Sequence, residues 1–207
     1  MRAQHLDVSI DSKLGKHAFI PGSTCAVAGD TIQCTALRLY LGSFMLLNEG
    51  DTIMRWPFFY FLIDFSDPST TVFQLPDLPD IDFDEVSFLI GVDSSLQVDG
   101  PHGGVLDPAE GMYWTWQNGY IDVKVEGTAS LSTDIKEEFA WHLGGYQGPL
   151  NASVRCVLPC SKKRLHLTID WFHLFHAMDM KTQHHVMSPS AATVQAMEAL
   201  KSGITAR

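Results

Sequence analysis

Short runs of alternating apolar and polar residues, broken by turn-forming residues, recur along most of this chain. Leu6, Val8 and Ile10 share one face of an extended segment, as do Leu37, Leu39 and Leu41, and Leu165, Leu167, Ile169 and Trp171 share another. A period of two marks a strand with one face buried. The runs Phe58 to Phe65 and Val86 to Val92 are continuously apolar instead, the pattern of strands covered on both faces. Asn48-Glu49-Gly50-Asp51 reads as a turn after the Leu37-Leu39-Leu41 strand, and Pro76, Pro79 and three nearby aspartates break the chain before Phe83. Only the C-terminal region reads as helix. Ser188 can cap it, Pro189 suits its first turn, Ser190 to Leu200 is rich in helix formers, and Gly203 ends it.

The expected architecture is all-β: a two-sheet β-sandwich of short, mainly antiparallel strands with a C-terminal helix, spanning 1–207 as one domain. The chain has the material for such a core, with 45% hydrophobic and only 18% charged residues. Its formal net charge of -10 argues against a phosphate-tracking, nucleic-acid-binding surface. The run Lys162-Lys163-Arg164 reads as a solvated turn. No apolar stretch has the length of a membrane-spanning helix. Met1 to Leu6 lacks the basic end and apolar core of a signal peptide, so an exported form is expected to have lost its leader.

Four cysteines fall as two close pairs, Cys25 with Cys34 and Cys156 with Cys160. That spacing favours two disulfides, each stapling a tight loop in an oxidising compartment, with buried free thiols as the alternative.

The least ordinary stretch is Gly111-Met112-Tyr113-Trp114-Thr115-Trp116-Gln117-Asn118-Gly119-Tyr120. On a strand Trp114 and Trp116 would share a face, and two such indoles are most often core. Ahead of this stretch lies the longest irregular loop, Gly100 to Gly111, of a kind that often carries function. Among the histidines, His142 would project with Ala140, opposite Phe139 and Trp141. His173, His176, His184 and His185 fit no standard zinc spacing. Asp93, Asp107 and Glu126 read as turn and structural residues, since no spacing rule brings two of them to one cleft. No nucleophile elbow or phosphate-binding glycine loop is present.

Five ordered motifs give the chain a resemblance. They are Gly91-Val92-Asp93-Ser94, Leu106-Asp107-Pro108, the aromatic stretch Gly111 to Tyr120, Lys124-Val125-Glu126-Gly127, and Phe139-Ala140-Trp141-His142-Leu143-Gly144-Gly145, preceded by the strand Arg38-Leu39-Tyr40-Leu41. In order and spacing they resemble the MbnP-like, methanobactin-associated copper-binding proteins over most of the chain. The resemblance implies an exported β-sandwich, periplasmic or at the cell surface, that takes part in copper homeostasis. It would bind one copper ion through histidine and a tryptophan oxidised to kynurenine. The oxidation would come from a diheme partner resembling MauG and bacterial cytochrome c peroxidases, making this chain a substrate and not an enzyme.

The chemistry is coherent, because imidazole ligates copper well. An intact indole offers no basic lone pair, whereas kynurenine exposes an amine and a carbonyl. The candidate metal residues are His142, with Trp116 or Trp114, and His102 or His185 as the second histidine. The chain departs from the pattern at Leu96-Gln97-Val98, where some relatives carry a histidine. A different class of function also fits: a β-sandwich carbohydrate- or protein-binding module stacking its ligand on Trp114, Trp116 and Tyr120. A weaker third is an enzyme built on the histidine-rich C-terminal third.

Overall fold

The computed structural model describes residues 4–27, 29–117 and 119–207. Its strands are β1 (Leu6–Leu14), β2 (His17–Ala18), β3 (Thr24–Val27), β4 (Asp30–Asn48), β5 (Asp51–Asp64), β6 (Val72–Leu75), β7 (Glu85–Ile90) and β8 (Tyr113–Trp114). They continue with β9 (Gly119–Tyr120), β10 (Val123–Ala129), β11 (Glu138–Leu143), β12 (Val154–Pro159), β13 (Arg164–Asp170), β14 (His185–Val186) and β15 (Ile204–Ala206). The helices are α1 (Ser94–Val98), α2 (Phe172–Ala177) and α3 (Ala191–Ser202).

One sheet runs β15-β13-β1-β2, with β6 also on β1; the second runs β12-β7-β4-β10-β11-β14, with β3 and β5 also on β4. The alternating segments turn their apolar faces toward each other. Leu6, Val8, Ile10, Leu165, Leu167 and Ile169 of the first sheet join Leu37, Leu39, Val123, Val125 and Trp141 of the second in one buried cluster. Pairing is mainly antiparallel, as expected. β1 with β13 and β11 with β14 are parallel.

Not all strands are short. β4 covers 19 residues and β5 14, a length that alternation hides because bulges reset the phase. The β4 ladder shifts between Gly42 and Phe44 against β5, and between Gly42 and Met45 against β7. Ser43 there has a φ of 51°, and the strand bends without ending. The expectation that Phe58 to Phe65 is buried on both faces fails. β5 lies at an edge, and Pro57, Phe58 and Phe59 bulge outward opposite Ser43, leaving Phe58 and Phe59 exposed. The apolar β7 is buried along nearly its whole length.

The helical region begins two residues later than expected. Ser190, not Ser188, caps α3, its side chain accepting from Thr193 N at 3.1 Å. Nor is α3 the only helix: His173 and His176 sit on α2, which the preceding strand-like residues masked. Leu174 and Phe175 of α2 point inward and both histidines outward.

The four cysteines are buried and free. Cys156 and Cys160 follow an extended strand that keeps them apart by about 13 Å, well beyond the roughly 4.4–6.8 Å a disulfide spans. Cys25 pairs with Ile32 and lies diagonally from Cys34.

A close approach fixes one glycine. At the β10–β4 shift beside Glu126, a Cβ on Gly127 would lie 2.1 Å from the Gln33 carbonyl oxygen. Gly127→Ala is expected to cost about 1–3 kcal/mol, read as a lower urea midpoint with unchanged slope. A wild-type midpoint would show that the bulge relaxes freely.

Candidate functional site

The outer face of the second sheet is unusually polar. Along β10, Val123 and Val125 point into the core, so Lys124 and Glu126 point away from it. Register then aligns Arg38, Lys124 and His142 in one cross-strand row, and Ala36, Glu126, Ala140 and His185 in the next. The alanines leave room for Glu126 to lean across. Its Oε1 lies 2.7 Å from His142 Nε2 and 3.4 Å from Lys124 Nζ. The hydrogen bond from His142 holds the Glu126 carboxyl below its usual range, with burial opposing and Lys124 assisting. Arg38 is paired separately, to Asp64 at 2.6 Å.

One row further, Asp122 donates its backbone N–H to Leu143 O at 2.7 Å, and its carbonyl accepts from Tyr40 N at 3.0 Å. Its carboxyl is fully buried, with Oδ1 accepting from Val92 N at 3.0 Å. Gly91 makes this possible, because a Cβ there would sit 2.6 Å from Asp122 Cγ. Burial pushes the Asp122 carboxyl well above the ordinary carboxylate range.

Residues 91–117 and 119–121 fold over this face, where Val92, Leu106, Met112, Trp114, Tyr120 and Ile121 form a second apolar cluster with Tyr40 and Tyr60. Buried Gln97 ties the cover down, donating to Val92 O at 2.9 Å and accepting from Tyr120 N at 3.0 Å. Tyr120 Oη donates to Leu106 O at 3.0 Å and accepts from His102 N at 2.8 Å. Asp107 accepts from Ala109 N at 2.8 Å, the turn role its Asp-Pro pair suggests, whereas Asp93 accepts from the Tyr60 hydroxyl.

The two tryptophans do not share a strand face. β8 pairs Tyr113 with Tyr120 and Trp114 with Gly119, then gives way to a turn. Trp114 is 1% exposed and Trp116 67%. Their rings stay 6.5 Å apart, tilted by 49°. Trp114 lies over Gly144, two residues past His142, where a Cβ would come 3.1 Å from Trp114 Cζ3. Beside Trp114 a cavity of about 310 Å³ is lined by Gln117, Gly145, Tyr146, Gln147 and Leu150 among others. Asn118 lies outside the described residues.

Among the described residues, five buried side-chain atoms lack a hydrogen-bond partner: Tyr113 Oη, Trp114 Nε1, Gln117 Nε2, Asp122 Oδ2 and His142 Nδ1. Three belong to the aromatic segment, and those of Asp122 and His142 to the outer face of the second sheet. Buried polar atoms are normally paired, so these atoms are candidates for contact with a ligand or an ordered water.

Of the candidate metal residues, His142 and Trp114 thus belong to one face and Trp116 to its rim. His102 is engaged elsewhere, its Nε2 3.0 Å from Leu96 O. His185 is exposed on β14 opposite Ala140, in the row of Glu126. No group of three or more His, Cys, Asp or Glu is poised for a metal among the described residues. On α2, His173 Nδ1 meets Ser202 Oγ at 3.2 Å and His176 stacks on Phe172. Burial pushes the thiols of Cys34 and Cys156 up to about 12, which suppresses thiolate reactivity.

Asp122 and the Glu126–His142 contact escaped the sequence reading. The available signal was a lone carboxylate inside the apolar run Tyr120-Ile121-Asp122-Val123. The Glu126 contact depends on the β10–β11 register.

Fold and site together define a two-sheet β-sandwich whose outer face is covered by an aromatic hairpin. The MbnP family model matches residues 3–190, and the chain belongs to that family. Among solved structures, MbnP from Methylosinus trichosporium is similar, with a TM-score of 0.62 at 16% identity, covering 92% of this chain and 83% of that one. At that identity the likeness is one of fold. No curated protein matches the sequence. No described helix is long and apolar enough to cross a membrane.

Two predictions follow from these burials. The unfolded chain releases the Asp122 proton near 3.8 while the folded chain retains it, so Asp122 weakens folding as pH rises above 3.8. Asp122→Asn, which keeps an acceptor for Val92 N–H, is expected to be more stable than wild type at neutral pH and level with it below that value, measured by urea unfolding across pH. Trp114→Ala should cost about 3–5 kcal/mol, and Trp116→Ala no more than about 0.5 kcal/mol, in the same assay.

Proposed function

We propose that this chain binds one copper ion on the outer face of the second sheet, with His142 as a ligand and the Trp114–Trp116 pair beside it. The observation that carries this reading is the buried, unpartnered Nδ1 of His142, in a patch that gathers the other unpaired polar atoms. A neutral imidazole nitrogen is a ligand ready for copper, whereas the indole nitrogen carries a proton and no available lone pair. The residues therefore supply one ligand as they stand. A second requires modification or the movement of another donor.

Trp116 is the better precursor for that ligand. It is exposed, sits on the turn after β8, and lies against Trp114. A diheme MauG-like oxidase is the proposed partner that converts it to kynurenine, with the chain acting as substrate and copper carrier outside the cytoplasm. In this reading the chain has no catalytic role.

The cavity beside Trp114 and the exposed Trp116 favour a second reading, a carbohydrate-binding face. Anaerobic copper(I) titration against a competing chelator separates the two. His142→Ala is expected to weaken binding beyond the about 10–100-fold that loss of a merely supporting residue costs. Unchanged stoichiometry and affinity would remove His142 as a ligand. Saturable quenching of Trp116 by oligosaccharides, indifferent to His142, would favour the second reading.

A further inference from the structure

We infer that Glu126 is a positioning residue that fixes the His142 tautomer, so that His142 meets its metal through Nδ1 and not through Nε2. This rests on the copper reading above for the identity of the metal, but the tautomer follows from the protein alone.

A neutral imidazole has one N–H donor and one acceptor nitrogen, and which is which depends on the neighbours. An ionised carboxylate only accepts. Glu126 Oε1 stands 2.7 Å from His142 Nε2, so Nε2 must carry the hydrogen. The other tautomer would set a nitrogen lone pair against a carboxylate oxygen. Lys124 Nζ, 3.4 Å from the same oxygen, keeps negative charge favourable there.

The lone pair is therefore left on Nδ1, which is buried and has no partner among the described residues. Carboxylate–histidine–metal relays are built this way, the carboxylate orienting the ring and raising the basicity of the ligating nitrogen. Nδ1 is bonded directly to Cγ, closer to the backbone than Nε2.

Register explains why Glu126 can do this. It faces Ala140, not His142, across the β10–β11 ladder, and the small side chain there lets it reach diagonally. Gly127 follows at the bulge, where the strand cannot carry a Cβ. The sequence Lys124-Val125-Glu126-Gly127 thus places two groups against the histidine and a backbone adjustment beside them.

The test is a long-range proton–nitrogen correlation spectrum of the uniformly ¹⁵N-labelled, metal-free protein, repeated with copper(I) and with silver(I) under anaerobic conditions. The expected result is a protonated Nε2 and a lone-pair Nδ1 for His142 without metal, with the Nδ1 resonance shifting when metal is added. Glu126→Ala should give mixed tautomers and copper(I) binding weakened by about 10–100-fold, while Glu126→Gln, whose amide oxygen can still accept, restores part of the tautomer preference. A protonated Nδ1 in the metal-free wild type overturns the inference without any variant having to fold. So does a metal-induced shift at Nε2. If neither nitrogen responds to metal, the ligand assignment and the copper reading both fall, and a retained Nε2–H tautomer then traces the fault to the metal and not to Glu126.

Discussion

Both edges of β4 are occupied over most of its length, by β3 and β5 on one side and by β10 and β7 on the other, and the rest of the molecule is arranged around that strand. A strand this long cannot stay flat, because sheets twist and the register on its two edges drifts apart. The bulges at Ser43 and opposite Gly127 absorb the drift. Between them the outer-facing residues of β4, β10 and β11 stay in regular, aligned rows. The β10–β11 ladder itself runs without a shift, and it is this regular register that sets Glu126 one rung from His142.

The same central strand creates a difficulty that the loop between β7 and β10 resolves. The first sheet covers only the inner face of the second. Tyr40, Asp122 and the strands beside them would otherwise lie open on the outer face. Residues 91–117 and 119–121 close over them with an apolar cluster anchored by Gln97 and Tyr120. Burial under this cover is incomplete in hydrogen-bonding terms. Each unpaired buried polar group costs about 1–3 kcal/mol, so gathering five of them in one patch is a local weakness that packing elsewhere must offset. Such local inconsistencies in otherwise consistent sequences are expected where a protein does its work.

Much of the sandwich was legible in the sequence because alternation reports one buried face directly. Leu6-Val8-Ile10, Leu37-Leu39-Leu41 and Leu165-Leu167-Ile169 all point inward as their period of two requires. The long strands were not legible, since a bulge shifts the period and makes one strand look like two. The exposed Phe58 and Phe59 misled for a related reason: a continuous apolar run has no phase, so nothing in it distinguishes a strand buried on both sides from an edge strand with an aromatic bulge. Of the site, His142 could be placed on its face from local alternation alone. Its partner Glu126 could not, because 16 residues and a strand pairing separate them. The disulfide expectation rested on separation along the chain. For Cys156 and Cys160 an extended strand holds apart what a loop would have joined.

The division between Trp114 and Trp116 follows from where the hairpin ends. β8 is only two residues long, and the pairing of Trp114 with Gly119 is its last rung. Gly144 lacks a side chain where the Trp114 ring lies, so the indole packs flush against the strand that carries His142. Past that rung the backbone turns and Trp116 loses the period-two relation to its neighbour, yet ring contact between the two survives. One indole is therefore fixed by the sheet and the other by the first indole. Remodelling the Trp114 ring would open the apolar cluster of which it is part, whereas the exposed Trp116 lies outside that cluster.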